Sequence, residues 1–121
     1  MKRTMTIRVE RDEGRARKRV REGFVRAWKS KRYQGEEFSF ESAEALFRAI
    51  TPARWTVLAR LQRTGPSALR ALARDLGRDV KAVHRDVQAL SVLGLVQKDE
   101  NGRIRVPFAR IRTEFELADA A

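Results

Sequence analysis

Four side chains, Lys81, His84, Arg85 and Gln88, recur at steps of i, i+3, i+4 and i+7, so a helix through them carries all four on one face. Each can hydrogen-bond a base edge or a phosphate; an arginine can take guanine O6 and N7, and a glutamine adenine N6 and N7. Val80, Val83, Val87 and Leu90 read as one inward stripe on the opposite side. Asp86 falls on the flank, where it either holds Arg85 or a neighbouring cation or is simply solvated. Any surface helix sets polar residues against a core stripe, so this face gains meaning only from the elements around it.

Those elements come in a telling order. Ser67 is read as the cap of a short helix with Leu69, Leu72, Ala73 and Leu76 inward, closed by Gly77. Asp79 caps the next, Val80 to Leu93, closed by Gly94, so the two helices meet across Gly77-Arg78-Asp79 alone, a helix-turn-helix spacing. Beyond Gly94 the period falls to two: Leu95 to Lys98 and Arg103 to Val106 flank Asn101-Gly102, a hairpin signal. A helix-turn-helix followed by a hairpin predicts a winged helix, with the wing spanning 95–106. Its Lys98, Asn101, Arg103 and Arg105 suit a phosphate backbone or a minor groove. Their alternative reading is an edge charged against strand pairing. Ser67, Arg70, Arg74 and Arg78 are expected at phosphates.

Upstream, TMTIRV (4–9) alternates as a half-buried strand. Residues from Arg11 to about Tyr33 step by three and four through Ala16, Val20, Phe24, Ala27 and Trp28 as a helix that Gly35 closes. Ser42 caps a helix with Ala45, Leu46, Ala49 and Ile50 on one face. Thr51-Pro52 starts another, with Trp55, Leu58, Ala59 and Leu61 as its buried stripe. Ile111 to Leu117 alternates as a last strand, a candidate partner for residues 5–9, and residues 32–38 are the least patterned stretch. Trp28, Trp55, Phe24, Phe40 and Phe47 read as core aromatics. The expected class is therefore mainly α with a small β component (α+β): a basic strand-helix extension over 1–37, then a winged helix-turn-helix domain over 38–121 with a C-terminal strand.

Composition narrows the function classes. The 121 residues carry a net charge of +11, which favours polyanions. Residues 1–35 hold 13 Lys+Arg against 4 Asp+Glu, leaving 14 against 12 for the rest. There is no cysteine and a single histidine, so disulfides, thiolate catalysis and Cys-ligated zinc are excluded, and no metal or other cofactor is expected. No phosphate loop, HExxH, nucleophile elbow or GxGxxG occurs, so no catalytic residue is expected and the chain does not read as an enzyme. No apolar run reaches the roughly 18 residues of a membrane span, nor does the start resemble a secretory signal, which makes a cytoplasmic protein with no membrane partner the expectation.

SFES (39–42), TPARW (51–55), the segment from Ser67 to Leu76, LGRDVKAVHRDVQALSVLGLV (76–96), NGRIRVP (101–107) and IRTEFEL (111–117) together resemble a family of small prokaryotic MarR-like winged-helix proteins. These are predicted transcriptional regulators, some thought to be antitoxins encoded beside a small toxin. The resemblance covers about two-thirds of the chain, from Phe38 to Leu117. It implies a DNA-reading helix at Val80–Leu93, a wing at Leu95–Val106 and a homodimer. The first 35 residues depart from the family in being more basic, and a toxin-binding segment would fall there.

Two functions remain open on sequence alone. One is a dimeric, sequence-specific repressor on double-stranded DNA, with an antitoxin role as a further option and Lys81, His84, Arg85 and Gln88 at base edges. The other is a protein-interaction module whose basic arm grips an acidic partner such as a toxin, with weak or nonspecific DNA binding. Val20, Phe24 and Trp28 are the expected dimer or partner interface.

Overall fold

The computed structural model describes residues 2–10, 17–19, 21–23, 25 and 35–117. It is a small α+β protein. The elements are β1 (Thr4–Val9), β2 (Glu36–Phe40), α1 (Ala43–Ala49), α2 (Pro52–Thr64), α3 (Leu69–Leu76), α4 (Val80–Val92), β3 (Gln97–Lys98), β4 (Ile104–Arg105) and β5 (Arg110–Glu114). Contacts divide the chain into two units, Met1–Leu46 with Arg110–Ala121, and Phe47–Ala109. The division expected at residue 37 would run through β2.

The first unit holds a three-stranded sheet ordered β2-β1-β5, with both pairings parallel. Register sets Met5, Ile7 and Val9 beside Glu36, Phe38 and Phe40, and Met5 and Ile7 beside Ile111 and Thr113. Because strand side chains alternate, one face collects these mostly apolar residues, with Met5 and Ile7 buried and the Phe38 and Phe40 rings edge-to-face at 5.5 Å. The other face is polar: Arg8 ion-pairs with Glu37 (3.1 Å) on one neighbour strand and with Glu114 on the other. Parallel strands need a crossover, and Arg17–Arg19, Arg21–Gly23 and Val25, between β1 and β2 in the chain, are helical. Gly35 enters β2 at φ 86°, where a Cβ would stand 2.9 Å from Thr4 Oγ1, so both backbone and space demand glycine. Sequence periodicity did not anticipate β2, and β5 ends at Glu114, short of the expected Leu117.

In the second unit α4 packs on α2 and α3, and β4 meets α2. Ile50, Val57, Leu58, Leu61, Leu72, Ala73, Val83, Val87, Leu90, Leu95, Val96, Ile104 and Phe108 form its core. α2 opens as its sequence predicts, with Thr51 Oγ1 accepting from the Arg54 amide (3.3 Å) and Pro52 in the first turn. α3 closes on Gly77 in the left-handed region (φ 65°), which lets the Arg78 amide reach back to the Ala73 carbonyl (3.0 Å). Asp79 Oδ2 then accepts from the Ala82 amide (3.2 Å) to start α4.

Several expected positions are corrected. Ser67 caps nothing: Ala68 holds that place without a side-chain bond, and Ser67 instead pairs by backbone with Ile104, amide to carbonyl in both directions (2.9 and 2.8 Å). The inward stripe of α4 is Val83, Asp86, Val87 and Leu90, while Val80 is 37% exposed. Val80 sits in the first turn, so the stripe centres a step further round than the all-apolar reading placed it. In α2 the buried set is Val57, Leu58 and Leu61, with Trp55 half-buried and Ala59 exposed. Phe47, expected in the core, is 53% exposed, whereas Phe40 is half-buried; Trp28 and Phe24 lie outside the described residues.

Candidate nucleic-acid interface

Burying Val83, Val87 and Leu90 fixes the rotation of α4, each such side chain contributing about 1.5–3 kcal/mol. That rotation presents Lys81, His84, Arg85 and Gln88 to solvent together. Near them in the chain, Arg70 and Arg74 are exposed on α3.

Asp86, the odd member of the inward stripe, explains why this arrangement holds. It is 8% exposed and receives two cations: Arg54 Nε donates to Oδ1 (3.1 Å), and Arg78 Nη2 lies 2.8 Å from Oδ2. Arg54 Nη1 also donates to the Ala49 carbonyl (2.7 Å). One carboxylate therefore ties α2, the α3–α4 turn and α4 at a single point. Arg78 is thus committed to an internal ion pair, although the sequence placed it at a phosphate. Asp86 does hold neighbouring cations, and they are Arg54 and Arg78, with Arg85 left exposed. The signal was present: Val83, Asp86, Val87 and Leu90 are spaced i, i+3, i+4 and i+7, and an acid on a core stripe calls for a buried cation.

After α4 the chain turns back as a hairpin with Gln97 opposite Arg105 and Lys98 opposite Ile104. Asp99 organises its tip. Its amide donates to the Arg103 carbonyl (2.8 Å), and its Oδ1 accepts from the Asn101 and Arg103 amides (both 2.9 Å). Asn101, Arg103 and Arg105 are exposed, and Arg105 Nη2 reaches Gln97 Oε1 (3.5 Å).

Directly opposed residues of an antiparallel pair share a face, so Lys98 lies on the side of buried Ile104 and Arg105 on the other. The basic hairpin residues are consequently split, a division sequence reasoning missed. Lys98 joins His84 and Gln88 around a groove of about 420 Å³ floored by Leu69, Val87 and Ile104. Arg105 stands with Gln97 away from it.

This unit carries a cationic surplus of its own. Residues 47–109 contain 12 Lys+Arg and 5 Asp+Glu. Arg54 and Arg78 are taken by Asp86, and Arg60 by Asp75 (2.6 Å). Among the described residues, Arg70, Arg74, Lys81, Arg85, Lys98, Arg103 and Arg105 form no ion pair. The described residues hold no group of three or more His, Asp or Glu placed to bind a metal, and no helix long and apolar enough to cross a membrane. Val20, Phe24 and Trp28, the expected dimer or partner interface, lie outside the described residues.

Fold and site together define a small α+β protein with an uncompensated cationic surface on one helix and the hairpin that follows it. The chain belongs to the HVO_A0114 family, whose model matches residues 49–113, just over half of its length. That span contains α2 to β4 and every residue of the Asp86 cluster. No curated protein and no solved structure matches the chain.

Proposed function

We propose that the protein is a sequence-specific transcriptional regulator of double-stranded DNA, acting as a repressor, with Phe47–Ala109 serving as a winged helix-turn-helix. In this reading α4 enters the major groove, Lys81, His84, Arg85 and Gln88 meet base edges, and the β3–β4 hairpin is the wing. Arg70, Arg74, Arg103 and Arg105 are backbone contacts that position without specifying. The observation that carries the reading is the exposed, unpaired row on α4, held by a buried stripe and a buried ion-pair cluster, in a unit with 12 cations against 5 anions. The likeness to MarR-like regulators points the same way and adds a cytoplasmic homodimer, with an antitoxin role and a cognate toxin as its further implication. No catalysis is assigned.

The reading is tested by comparing Arg85→Ala and Arg105→Ala on the tightest-binding duplex and on random duplex. Arg85→Ala is expected to cost about 1–3 kcal/mol on the former and to relax discrimination at one base pair. Arg105→Ala should weaken both duplexes alike. Equal losses on the two duplexes for Arg85→Ala would remove α4 from the reading role.

A further inference from the structure

The parallel sheet leaves β5 on its outside, flanked among the described residues by β1 alone. An outer strand offers a row of backbone donors and acceptors to a further strand, and proteins that need to stay apart commonly blunt such an edge with charge. Copies repel when that charge has one sign. Here the strand reads Arg110-Ile111-Arg112-Thr113-Glu114 and the chain continues past its end as Phe115-Glu116, cations leading and anions following.

We infer that β5 is the interface at which two copies of this chain pair, antiparallel, about a two-fold axis through Thr113, joining two three-stranded sheets into one of six. In that register Arg110 faces Glu116 of the second copy, Ile111 faces Phe115, Arg112 faces Glu114, and Thr113 faces itself. Every charged residue meets its opposite and every apolar residue an apolar one, twice over by symmetry. Moving the axis to Arg112 or Glu114 sets like charges against each other, and moving the register by one residue puts the apolar set on the polar face. The faces agree with the sheet in hand: Ile111 and Thr113 are half-buried beside Met5 and Ile7, and Arg110 and Arg112 are exposed on the side of Arg8 and Glu37. The other outer strand lacks this property. β2 carries Glu36 and Glu37 and no cation, so two copies of it gain no charge pairing. In the monomer Arg112 already lies 3.2 Å from Glu114 and Arg8 pairs with Glu114, so the dimer would extend an existing row. Arg110 and Glu116 form no ion pair among the described residues and are available to the second copy. This interface stands whether or not α4 reads DNA.

The full chain tests it in two ways. In sedimentation equilibrium, with folding checked by circular dichroism, Arg110→Glu and Glu116→Arg should each weaken self-association about tenfold, and the double swap should restore it to within about threefold. Residues facing each other across an antiparallel pair have Cα atoms about 4.5–5.5 Å apart, within disulfide reach. Since the chain has no cysteine, Thr113→Cys should form a symmetric interchain disulfide on mild oxidation. Arg110→Cys, whose two copies would lie roughly 20 Å apart along the strands, should not. A wild-type monomer at all concentrations, a dimer indifferent to both single reversals, a swap that fails to restore, or equal crosslinking at 110 and 113 would each overturn the proposal.

Discussion

Asp86 is the residue on which the geometry of α4 turns. Replacing it with alanine strands Arg54 and Arg78, each mostly shielded from water, without their anion. Breaking a buried pair from one side costs about 3–5 kcal/mol, and the partial exposure of both arginines places this case near the lower end, about 3 kcal/mol. Chemical denaturation should show that loss, while Arg85→Ala, which removes an exposed side chain, should leave the midpoint nearly unchanged. Comparable losses from the two would mean that Arg85, not the Asp86 cluster, carries the structural burden. Asp86 also shows why a residue's role can stay hidden in a sequence with a clear pattern. The all-apolar stripe put it on the flank, and the identity of its cations depended on Arg54, thirty-two positions earlier and on another helix.

At the level of elements, local chemistry was legible where it acted over a few residues. Thr51-Pro52, Gly77 and Asp79 mark helix ends in the sequence, and the structure uses each as such. Ser67 looked like the same kind of signal, yet it joins Ile104 far along the chain, a pairing no local pattern announces. β2 escaped for a similar reason. EEFSF has two charges and only Phe38 and Phe40 as alternating apolar residues, and its stability comes from parallel pairing with β1, about thirty residues away. The contrast is measurable: Asp79→Ala should lower stability by about 1 kcal/mol through loss of the α4 cap, and Ser67→Ala by less than about 0.5 kcal/mol, since its hydroxyl reaches only the adjacent Ala68 carbonyl. The hairpin was legible as a hairpin. The division of its cations between the groove side and the far side was not, because it depends on strand register.

For the whole molecule the governing quantity is charge and where it lies. A net +11 ensures attraction to any polyanion, so affinity alone says little about function. Salt separates the contributions. Lys98→Ala and Arg105→Ala should each reduce the slope of log affinity against log salt by about 1 on random duplex if each neutralises a phosphate. An unchanged slope would remove that side chain from the backbone contacts. Whether the surplus charge serves a reader of sequence is decided by selection from a random duplex library with the purified full chain at near-physiological salt, where phosphate-only binding fades and specific binding persists. An inverted repeat with half-sites about one helical turn, roughly 34–36 Å, apart is the expected outcome. Recovery of no enriched motif would contradict a sequence-reading role.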